Sequence, residues 1–374
     1  MKKCIVVNFV GLRGGGVSYA YEMVRGLCIN GCKVYAIVSN EMESIETWRK
    51  IEGIRLIEVN GYSTKFNFIP RLIYFLTVEK KRIRSILKAE NVDAVYLPMT
   101  SFWAIFVNYV LTGYKKIYTM HDPIPHNKNN IIPNFISDKC ARDADAIIIL
   151  SDVFKEYIHH KYKMPYGKIV TIPLGSQNYY EESKNLGIRE KPIIKYDSAK
   201  YNFLFYGRIT EYKGLHILAQ AYEKLSKEFD NITLTVAGNG NFTPYQESYK
   251  DLKNFTLINR WIDEQEVYDL FQGKNIITIV PYLTATQSGI IPIAMQFGSP
   301  VIASKCGGLI EQVLDNVTGY LVEPGNVDLL YEKMKHIIQH PNEVANIKDA
   351  ANEYIQKLDW TELTKRVIGI VDKL

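Results

Sequence analysis

Short runs of β-branched and other apolar residues alternate along the chain with segments whose apolar residues recur at helical spacing. In the first half these runs occupy residues 4–9, 33–38, 94–97, 116–120 and 146–150, and the pattern restarts at 202–206, 233–237, 255–258, 276–280 and 300–303. Strands separated by helices pair in parallel through βαβ units, because a parallel connection needs a long crossover. We therefore predict an α/β protein with two doubly wound domains in tandem.

A polar stretch without periodicity, residues 176–200, separates the two sets of strands. It is the predicted linker, so the predicted domains are 1–175 and 176–358. The final segment, 359–374, carries apolar residues at helical spacing and is predicted to form a helix that packs back on the first domain. A length of 374 residues agrees with two domains.

Charge is distributed unequally between the two halves. Lys and Arg outnumber Asp and Glu by 24 to 15 in residues 1–175, whereas Asp and Glu outnumber Lys and Arg by 25 to 21 in the remainder. A basic half could meet a phosphate-bearing substrate, an anionic membrane or a nucleic acid. A nucleic acid is disfavoured, because the aromatic residues, which include 26 Tyr, do not interleave with basic ones on a recognisable platform.

Cysteine usage and the lengths of the apolar runs bear on location. The five cysteines are scattered without C-x-x-C or metal-ligand spacing, which predicts a reducing, cytoplasmic compartment. The opening MKKCIVVNFVG resembles the start of a signal peptide, but its apolar run of about seven residues is too short, and we interpret it as a strand. No run reaches the roughly 20 residues of a spanning helix. We expect a protein that does not cross the membrane, with a peripheral position on the inner face of the plasma membrane left open.

Glycines follow the first strand in the sequence Gly11-Leu-Arg-Gly-Gly-Gly16, and a helix is predicted to start near Ser18. Glycines let backbone N–H groups approach an anion at a helix N-terminus, where the helix dipole favours negative charge. The spacing departs from the G-x-G-x-x-G of dinucleotide-binding proteins, but Glu41 stands where a ribose-binding acid would. This motif alone therefore leaves both a tight turn and a Rossmann oxidoreductase open.

A second strand-to-helix turn carries two cations. Arg208 and Lys213 bracket the turn that follows the strand at 202–206. Ligands bind at the carboxyl ends of strands in open parallel sheets, and two cations there suit a diphosphate. The alternative is a solvated turn with incidental charges.

Two more turns are predicted at the same edge. After the strand at 276–280, the backbone N–H groups of Ser288, Gly289 and Ile290 are predicted to point at a phosphate. The next strand ends near two glycines, and Glu311 follows shortly after them. Three anion-binding or ribose-binding turns therefore line one edge of the second predicted domain.

In this order, the motifs resemble the retaining nucleotide-sugar glycosyltransferases of family 4, whose GT-B architecture has two Rossmann-like domains facing each other across a cleft. The resemblance covers most of the chain and is densest at 206–325, in GRITEYKGL, VAGNG, PYLTATQSGIIPIAMQFGSPVIAS, GGLIEQV and TGYLVEPGN. It implies an N-terminal acceptor-binding domain and a C-terminal domain that binds the nucleotide-sugar donor.

The resemblance also implies roles for individual residues. Arg208 and Lys213 would hold the donor diphosphate and neutralise the leaving group, and His121, at a strand end, would stand beside the transferred sugar. Glu311 is a candidate to bind the ribose. The other donor-binding residues implied are Gly15, Gly16, Gly207, Asn239, Arg260, Trp261, Ile262, Gln287, Ser288, Gly289 and Ile290. Of these, residues 260–262 would lie beside the nucleotide base.

One departure from the family concerns the sugar-binding loop. The family often carries two Glu in this block, and here those positions hold Ala285 and Ile293, neither of which can accept a hydrogen bond from a hydroxyl group. The Ala-Thr-Gln-Ser-Gly sequence resembles a branch of the family in which Gln287 and Ser288 stand in this loop. Phosphate binding through backbone N–H groups is compatible with the change.

No metal or cofactor is predicted. The loops that carry these motifs contain no Asp-x-Asp pair to hold Mg²⁺ or Mn²⁺, so Arg208 and Lys213 would supply the positive charge in a metal-independent transfer. No carboxylate is placed as a nucleophile, which favours front-face transfer with the leaving diphosphate as the base. Retention itself is implied by the resemblance alone.

The acceptor side is expected on the basic half. An apolar stretch at 69–78 precedes a cationic cluster that contains Lys80, Lys81, Arg82 and Arg84. Such a segment can rest on anionic lipid headgroups or attract a lipid-linked diphosphate. The alternative is a helix with one basic face in solvent and one face in the core.

The leading hypothesis is an enzyme that moves a hexose-type sugar from a nucleotide-diphospho sugar to a glycan, lipid-linked by preference. The biological setting would be cell-envelope polysaccharide assembly: lipopolysaccharide O-antigen, capsule or exopolysaccharide. Two alternatives stay open. One is a catalytically impaired protein that binds a nucleotide sugar and partners an active transferase, and the other is a nucleotide-sugar epimerase on the same scaffold.

Overall fold

The computed structural model describes residues 2–43, 45–61, 68–125, 130–184 and 192–374. The chain forms two compact units. Unit 1 comprises Met1–Leu174 together with Asp359–Leu374, and unit 2 comprises Gly175–Leu358. Each unit contains a parallel sheet with helices, so the predicted α/β class is confirmed.

Seven parallel strands form the sheet of unit 1: β1 (Cys4–Asn8), β2 (Lys33–Ser39), β3 (Ile54–Val59), β4 (Ala94–Leu97), β5 (Lys116–Met120), β6 (Ala146–Ile149) and β7 (Ile169–Thr171). Their order is β3-β2-β1-β4-β5-β6-β7. In the register at the centre, Val6 pairs with Tyr35 on one side and with Val95 on the other. All residues of β1, β4 and β6 are buried, as expected for a parallel sheet covered on both faces.

The helices of this part of the chain are α1 (Gly15–Ile29), α2 (Ile45–Arg49), α3 (Phe68–Tyr74), α4 (Lys80–Lys88), α5 (Ala104–Val110), α6 (Ile131–Arg142) and α7 (Lys155–Tyr162). A π-helical segment, Phe75–Glu79, joins α3 to α4. Phe75, Ile83 and Leu87 bury one face of this segment in the hydrophobic core. No helix among the described residues combines the length and the apolar character needed to cross a bilayer.

Unit 2 has six parallel strands: β8 (Tyr201–Tyr206), β9 (Ile232–Ala237), β10 (Phe255–Ile258), β11 (Ile276–Val280), β12 (Val301–Ser304) and β13 (Tyr320–Val322). Their order is β10-β9-β8-β11-β12-β13. Its helices are α8 (Asn178–Lys184), α9 (Leu215–Leu225), α10 (Gln246–Tyr249), α11 (Glu264–Phe271), α12 (Ile290–Gln296), α13 (Leu309–Gln312), α14 (Val327–Gln339) and α15 (Pro341–Lys357).

All ten predicted strands are present, each within one residue of its predicted ends. The predicted linker, 176–200, is not a plain linker, because α8 forms within it. Tyr179 and Tyr180 of α8 are buried, and the Tyr179 hydroxyl donates a hydrogen bond to Glu264 of α11. Two buried aromatic side chains thus hold a locally polar sequence in a helix on unit 2. The polar composition of the segment gives no indication of this packing.

The last helix, α16 (Trp360–Val371), lies on α1 in unit 1. A Cβ at Gly26 of α1 would lie 2.6 Å from the Trp360 carbonyl oxygen, so glycine is required for this close approach. The Asn30 side chain, at the end of α1, donates hydrogen bonds to the Thr361 carbonyl at 2.6 Å and the Thr364 hydroxyl at 3.0 Å. Segment 359–374 is thereby an integral part of unit 1.

Candidate functional site

The carboxyl ends of three neighbouring strands in unit 2 define the first group of candidate residues. Strands β8, β11 and β12 lie side by side in the sheet. The loops that follow them, 207–214, 281–289 and 305–308, therefore meet at one edge. This is the edge at which open parallel α/β sheets bind ligands.

Arg208 lies in the loop after β8, and its side chain is exposed. Within the described residues its guanidinium has no hydrogen-bond or salt-bridge partner. The loop backbone is fixed, because the Gly207 N–H donates to the Ala237 carbonyl at 3.0 Å and the Ile209 N–H donates to the Asn239 carbonyl at 2.9 Å. An anion can bind such a guanidinium without first breaking an ion pair.

Lys213 ends a single turn of 3₁₀-helix in the same loop, Glu211–Lys213. Its Nζ lies 3.7 Å from the centroid of the Tyr282 ring. It also lies 4.0 Å from the point that a Cβ of Gly207 would occupy. The ammonium group therefore stands beside the backbone at the end of β8, where a side chain at position 207 would face it.

The loops that follow β8 and β11 are joined through their backbones. The Leu283 N–H donates to the Tyr212 carbonyl at 2.7 Å. Gly214 has a φ of +69°, and a Cβ there would overlap the Pro281 carbonyl oxygen. Only glycine fits this position, because it combines a left-handed conformation with a direct backbone contact.

The predicted anion site at Ser288, Gly289 and Ile290 is only partly available. The Ser288 N–H donates to the Gln312 Oε1 at 2.8 Å, and the Ile290 N–H donates to the Ser288 Oγ at 3.3 Å. Gln312 also donates from Nε2 to the Ser288 carbonyl at 3.0 Å. The prediction of three free N–H groups is therefore wrong for two of them, since side chains already accept their hydrogen bonds. Gln312, which sequence reasoning missed, bonds both the backbone N–H and the backbone carbonyl of Ser288.

The other residues predicted at this edge, Glu311 and Gln287, and the two positions of the family glutamates differ in burial and in hydrogen bonding. Glu311 lies on the short helix α13, partly buried, and its carbonyl accepts a hydrogen bond from the Tyr354 hydroxyl at 3.4 Å. The Gln287 Oε1 is buried and has no hydrogen-bond donor among the described residues. Ala285 and Ile293, which replace the glutamates of the family pattern, are 7% and 2% exposed. Both positions are thus filled by apolar side chains packed in the unit.

The Arg260 side chain is committed to the start of α11. Its Nη1 and Nη2 donate to the two carboxylate oxygens of Glu266 at 2.6 and 2.7 Å, and this hydrogen bonding raises the pKa of Arg260. Glu266 also accepts the Asp263 N–H at 2.8 Å and so completes a capping box. The guanidinium therefore stabilises a helix end. Ile262 is buried and Trp261 partly buried next to it.

In unit 1, the glycine loop leads directly into α1. The helix begins at Gly15, earlier than the predicted start near Ser18. A Cβ at Gly15 would meet no atom within 4 Å, whereas one at Gly16 would overlap the Met99 Sδ. Gly15 therefore faces open space at the helix start, and Gly16 allows α1 to approach the loop after β4.

His121 follows β5 and is held in one orientation. Its Nε2–H donates to the Pro98 carbonyl at 2.8 Å, because a carbonyl oxygen can only accept. Burial lowers the pKa of His121, an effect that the Pro98 hydrogen bond and the Asp122 charge only partly oppose. The imidazole is consequently neutral near pH 7, with its unprotonated Nδ1 as a hydrogen-bond acceptor.

Tyr19 supports His121 and was not identified from the sequence. Its ring meets the imidazole edge-to-face, with centroids 4.6 Å apart. Its hydroxyl lies 3.3 Å from both the Tyr96 hydroxyl and the Thr119 Oγ1, and burial raises its pKa to about 12. Trp360 of α16 also packs edge-to-face against the Tyr19 ring, with centroids 5.5 Å apart. This buried network fixes the ring against which His121 rests.

The predicted basic cluster of α4 is less free than its sequence indicates. Arg82 donates to Glu79, whose side chain is 7% exposed, and to the Glu58 carbonyl. Arg84 donates to the Val110 carbonyl at 3.2 Å. Lys80 lies over the Tyr109 ring at 4.6 Å, and Lys81 is exposed. Arg82 and Arg84 are exposed, and their hydrogen bonds also help to hold the helix in place.

Exposed apolar side chains accompany these cations. On α3 and the π-helical segment, Ile69, Ile73 and Val78 are 66%, 59% and 46% exposed. They belong to the same continuous helical segment as Lys80 and Lys81. An apolar and a cationic surface are thus combined on one element, although other residues of it pack in the core.

An Asp-x-Asp pair does occur outside the candidate loops, at Asp143 and Asp145. Asp145 accepts hydrogen bonds from the Lys116 N–H at 2.9 Å and the Lys115 Nζ at 3.0 Å. These contacts lie at the amino ends of β5 and β6, opposite the edge that carries His121. Among the described residues, no three His, Cys, Asp or Glu side chains are grouped as metal ligands.

Two family models match the chain. Residues 13–176 match Glycosyltransferase Family 4, and residues 188–354 match Glycosyl transferases group 1. The first match lies in the part of the chain that carries Gly15, Gly16 and His121. The second contains Arg208, Lys213 and the loops associated with them.

Individual relatives are distant. The chain is 24% identical over 236 residues to a lipopolysaccharide 1,2-N-acetylglucosaminetransferase of Salmonella typhimurium, covering 60% of this chain and 61% of the relative. It is 25% identical over 249 residues to the capsular polysaccharide biosynthesis glycosyltransferase CapM of Staphylococcus aureus, covering 60% of each. The chain thus spans about three-fifths of the length of these curated relatives.

Solved structures share the fold at low identity. The Anabaena protein HepE, whose crystal structure contains UDP-glucose, superposes with a TM-score of 0.71 at 16% identity, covering 100% of both chains. At this level of identity the likeness establishes the two-domain GT-B fold.

Proposed function

We propose that the chain, whose two halves match family models of glycosyltransferases, transfers a sugar, with retention, from a nucleotide-diphospho sugar to a glycan acceptor. The acceptor in this proposal is lipid-linked, and the product enters a cell-envelope polysaccharide. The relatives named for lipopolysaccharide and capsule synthesis support this choice. The observation that carries the proposal is the pair Arg208 and Lys213 at one sheet edge, the first without a partner among the described residues and the second held over Tyr282.

In the proposed reaction, the bond between the anomeric carbon and the donor phosphate oxygen breaks. The acceptor hydroxyl oxygen bonds to the same face of that carbon, and its proton passes to the leaving diphosphate. Arg208 and Lys213 stabilise the charge that develops on the leaving group, which is where preorganised cations act most strongly. This makes a metal ion unnecessary in the proposed mechanism. Neutral His121 accepts a hydrogen bond from a hydroxyl of the transferred sugar through Nδ1.

The proposed roles of the remaining donor-binding residues take into account the hydrogen bonds that their side chains and backbones already make. Arg260 contributes to the base site through its backbone, together with Trp261 and Ile262, because its guanidinium is bound to Glu266. At the phosphate site the Gly289 N–H contributes, while Ser288 is held in place by Gln312. Glu311 is proposed to bind the ribose.

A second candidate is a protein that binds a nucleotide sugar without transferring it. The observation that favours it is the replacement of the two family glutamates by Ala285 and Ile293, both buried. Without these carboxylates, two hydrogen bonds to donor hydroxyls are lost. Turnover distinguishes this candidate from the first, because both predict donor binding and only a transferase releases nucleoside diphosphate when acceptor is added.

Thermal unfolding with a panel of UDP, GDP, ADP and CMP sugars tests donor binding. We expect one nucleoside class to raise the midpoint, because a ligand that binds only the folded state stabilises it by about 2.7 kcal/mol at 100 times its Kd. The shift should persist in EDTA, since cations of the chain provide the charge. No shift with any sugar would contradict the proposed function, and a shift abolished by EDTA would contradict metal independence alone.

We further propose that Lys80 and Lys81, with Ile69, Ile73 and Val78, rest on an anionic membrane surface. Each cation near such a surface contributes about 1 kcal/mol, so converting both lysines to Glu should lower partitioning onto acidic vesicles by about 30-fold or more. Flotation with phosphatidylglycerol vesicles measures this. Lys227→Glu with Lys250→Glu makes the same charge change in unit 2 and should leave flotation unchanged. If both variants lost vesicle binding equally, the cause would be net charge, and the proposed membrane-binding role of Lys80 and Lys81 would be refuted.

A further inference from the structure

Tyr282 is the residue at the candidate site to which neither the sequence motifs nor the proposed chemistry assigns a role. It follows β11 after Pro281 and is 1% exposed. Three contacts converge on it. Its ring lies under the Lys213 Nζ at 3.7 Å, its hydroxyl lies 3.3 Å from the Ser288 Oγ, and its carbonyl accepts from the Cys306 Sγ at 3.6 Å. Tyr282 thus touches residues of all three loops that meet at this edge.

The contact with Lys213 has the geometry of a cation–π interaction, which strengthens when the pair is shielded from water. A lysine side chain has four rotatable bonds and high rotamer entropy. Without the ring contact, the ammonium would sample many positions at this edge. An aromatic ring attracts the cation through its quadrupole and leaves the full positive charge in place.

The ring is a neutral phenol at physiological pH. Burial raises the pKa of Tyr282, and the Ser288 hydrogen bond only partly opposes this. The backbone around Tyr282 is fixed independently, since Leu283 donates to Tyr212 and Pro281 packs on Gly214. The ring is therefore a rigid support on which Lys213 rests.

We propose that Tyr282 is a positioning residue, whose ring holds the Lys213 ammonium where it meets the donor diphosphate. The proposal rests on the proposed function for the identity of the anion. The placement of Lys213 on the ring does not depend on it. Tyr282 acts through Lys213 and has no contact of its own with the reacting atoms.

A double-mutant cycle on the full chain tests this dependence. Tyr282→Leu should lower kcat/KM, and the affinity for the nucleotide sugar, about 10-fold or more when Lys213 is present, and less than about 3-fold in the Lys213→Ala background. Tyr282→Phe keeps the ring and should stay within about 3-fold of the wild type. Equal losses in both backgrounds, or a Phe variant as impaired as the Leu variant, would overturn the proposal. If Tyr282→Leu fails to fold, Tyr282→Met, closer in volume, replaces it in the cycle.

A spectroscopic readout separates this proposal from the proposed function. A lysine over an aromatic face has its Cε protons shifted upfield by the ring current, and this shift should be retained in Tyr282→Phe with or without ligand. It should be much smaller in Tyr282→Leu, where the Tyr212 ring, 5.4 Å from the Lys213 Nζ, still contributes. Its absence from the wild type refutes the placement, whatever the protein binds. Tyr320 of β13 and Lys333 of α14 form a matched control pair at 4.4 Å, and neither residue belongs to these three loops. Tyr320→Phe and Lys333→Ala should leave kcat/KM unchanged.

Discussion

Replacing Lys213 or Arg208 by Ala is expected to lower kcat/KM for sugar transfer at least about 100-fold, which corresponds to about 2.7 kcal/mol of transition-state stabilisation. The physical reason is that the leaving diphosphate gains charge as the sugar departs. Within the described residues Arg208 has no competing partner, so its charge is available to that group. Steady-state rates with the donor class found by thermal shift measure the effect.

The two substitutions are expected to differ in their details. Arg208→Lys keeps the charge but loses the planar donor pair that binds two phosphate oxygens at once, so it should recover only part of the activity. Lys213→Arg places a larger group over the Tyr282 ring and should recover less. Lys227, an exposed cation in the turn after α9, provides the control, and Lys227→Ala should leave kcat/KM unchanged. Unchanged donor affinity by calorimetry in both Ala variants would refute the assignment of the diphosphate site.

Substitution of His121 should also have a large effect, with a characteristic pH dependence. His121→Ala removes the acceptor proposed for the sugar hydroxyl, and we expect kcat to fall about 100-fold or more. In the wild type, activity should be flat from pH 8 to about pH 6.5 and decline only below it, because burial keeps the pKa of His121 below its ordinary value of about 6.5. An acidic limb centred above pH 7 would contradict the neutral imidazole.

The same pKa shift affects stability. Because the pKa of His121 is lower in the folded protein, the unfolded chain binds more protons as the pH falls below about 6.5. The stability contributed by the neutral imidazole is therefore fully present above that pH and is lost as the pH falls towards the folded-state pKa. His121→Gln can still donate to Pro98 but does not titrate. Urea unfolding at pH 7 and pH 5 should show a smaller acid-induced loss in this variant than in the wild type.

The strands that the sequence predicted were short runs of β-branched and other apolar residues. Strand β3 was missed because Arg55 and Glu58 interrupt its apolar residues. Strands β7 and β13 were missed because they have three residues each, too few for such a run to be distinctive. Helix α8 was missed for a different reason. Its local sequence is polar, and it is held by the contacts of Tyr179 and Tyr180 with distant parts of unit 2, which no local pattern contains.

At the candidate site, sequence reasoning found the residues that strand ends present, such as Arg208, Lys213 and His121. It could not find their supports, because Tyr19, Tyr282 and Gln312 act through contacts made by the folded chain. The same limit applies to Arg260, which the resemblance places beside the nucleotide base. The sequence does not show that its guanidinium pairs with Glu266, because that contact is made by the folded chain.

The high Tyr content also becomes intelligible from the fold. Two buried tyrosines end in a hydrogen bond to a distant backbone carbonyl: Tyr222 donates to Lys253 at 3.0 Å and Tyr249 to Leu215 at 2.8 Å. Each ring buries apolar area while its hydroxyl satisfies a polar group that would otherwise lack a partner. The tyrosines serve as connections within the core, a use that composition alone does not distinguish from ligand binding.

The position of α16 on α1 has a consequence for how the chain is made. A ribosome adds residues 359–374 only after it has added the whole of unit 2, so the surface of α1 around Gly26 and Asn30 has no covering helix for most of synthesis. Unit 2 can fold as one contiguous segment, while unit 1 must wait for contacts more than 300 residues apart in sequence, such as that between Asn30 and Thr361. A chain truncated after Leu358 and released from the ribosome should therefore carry a folded second unit and an incomplete first one, in which the side of α1 that faces α16 is uncovered.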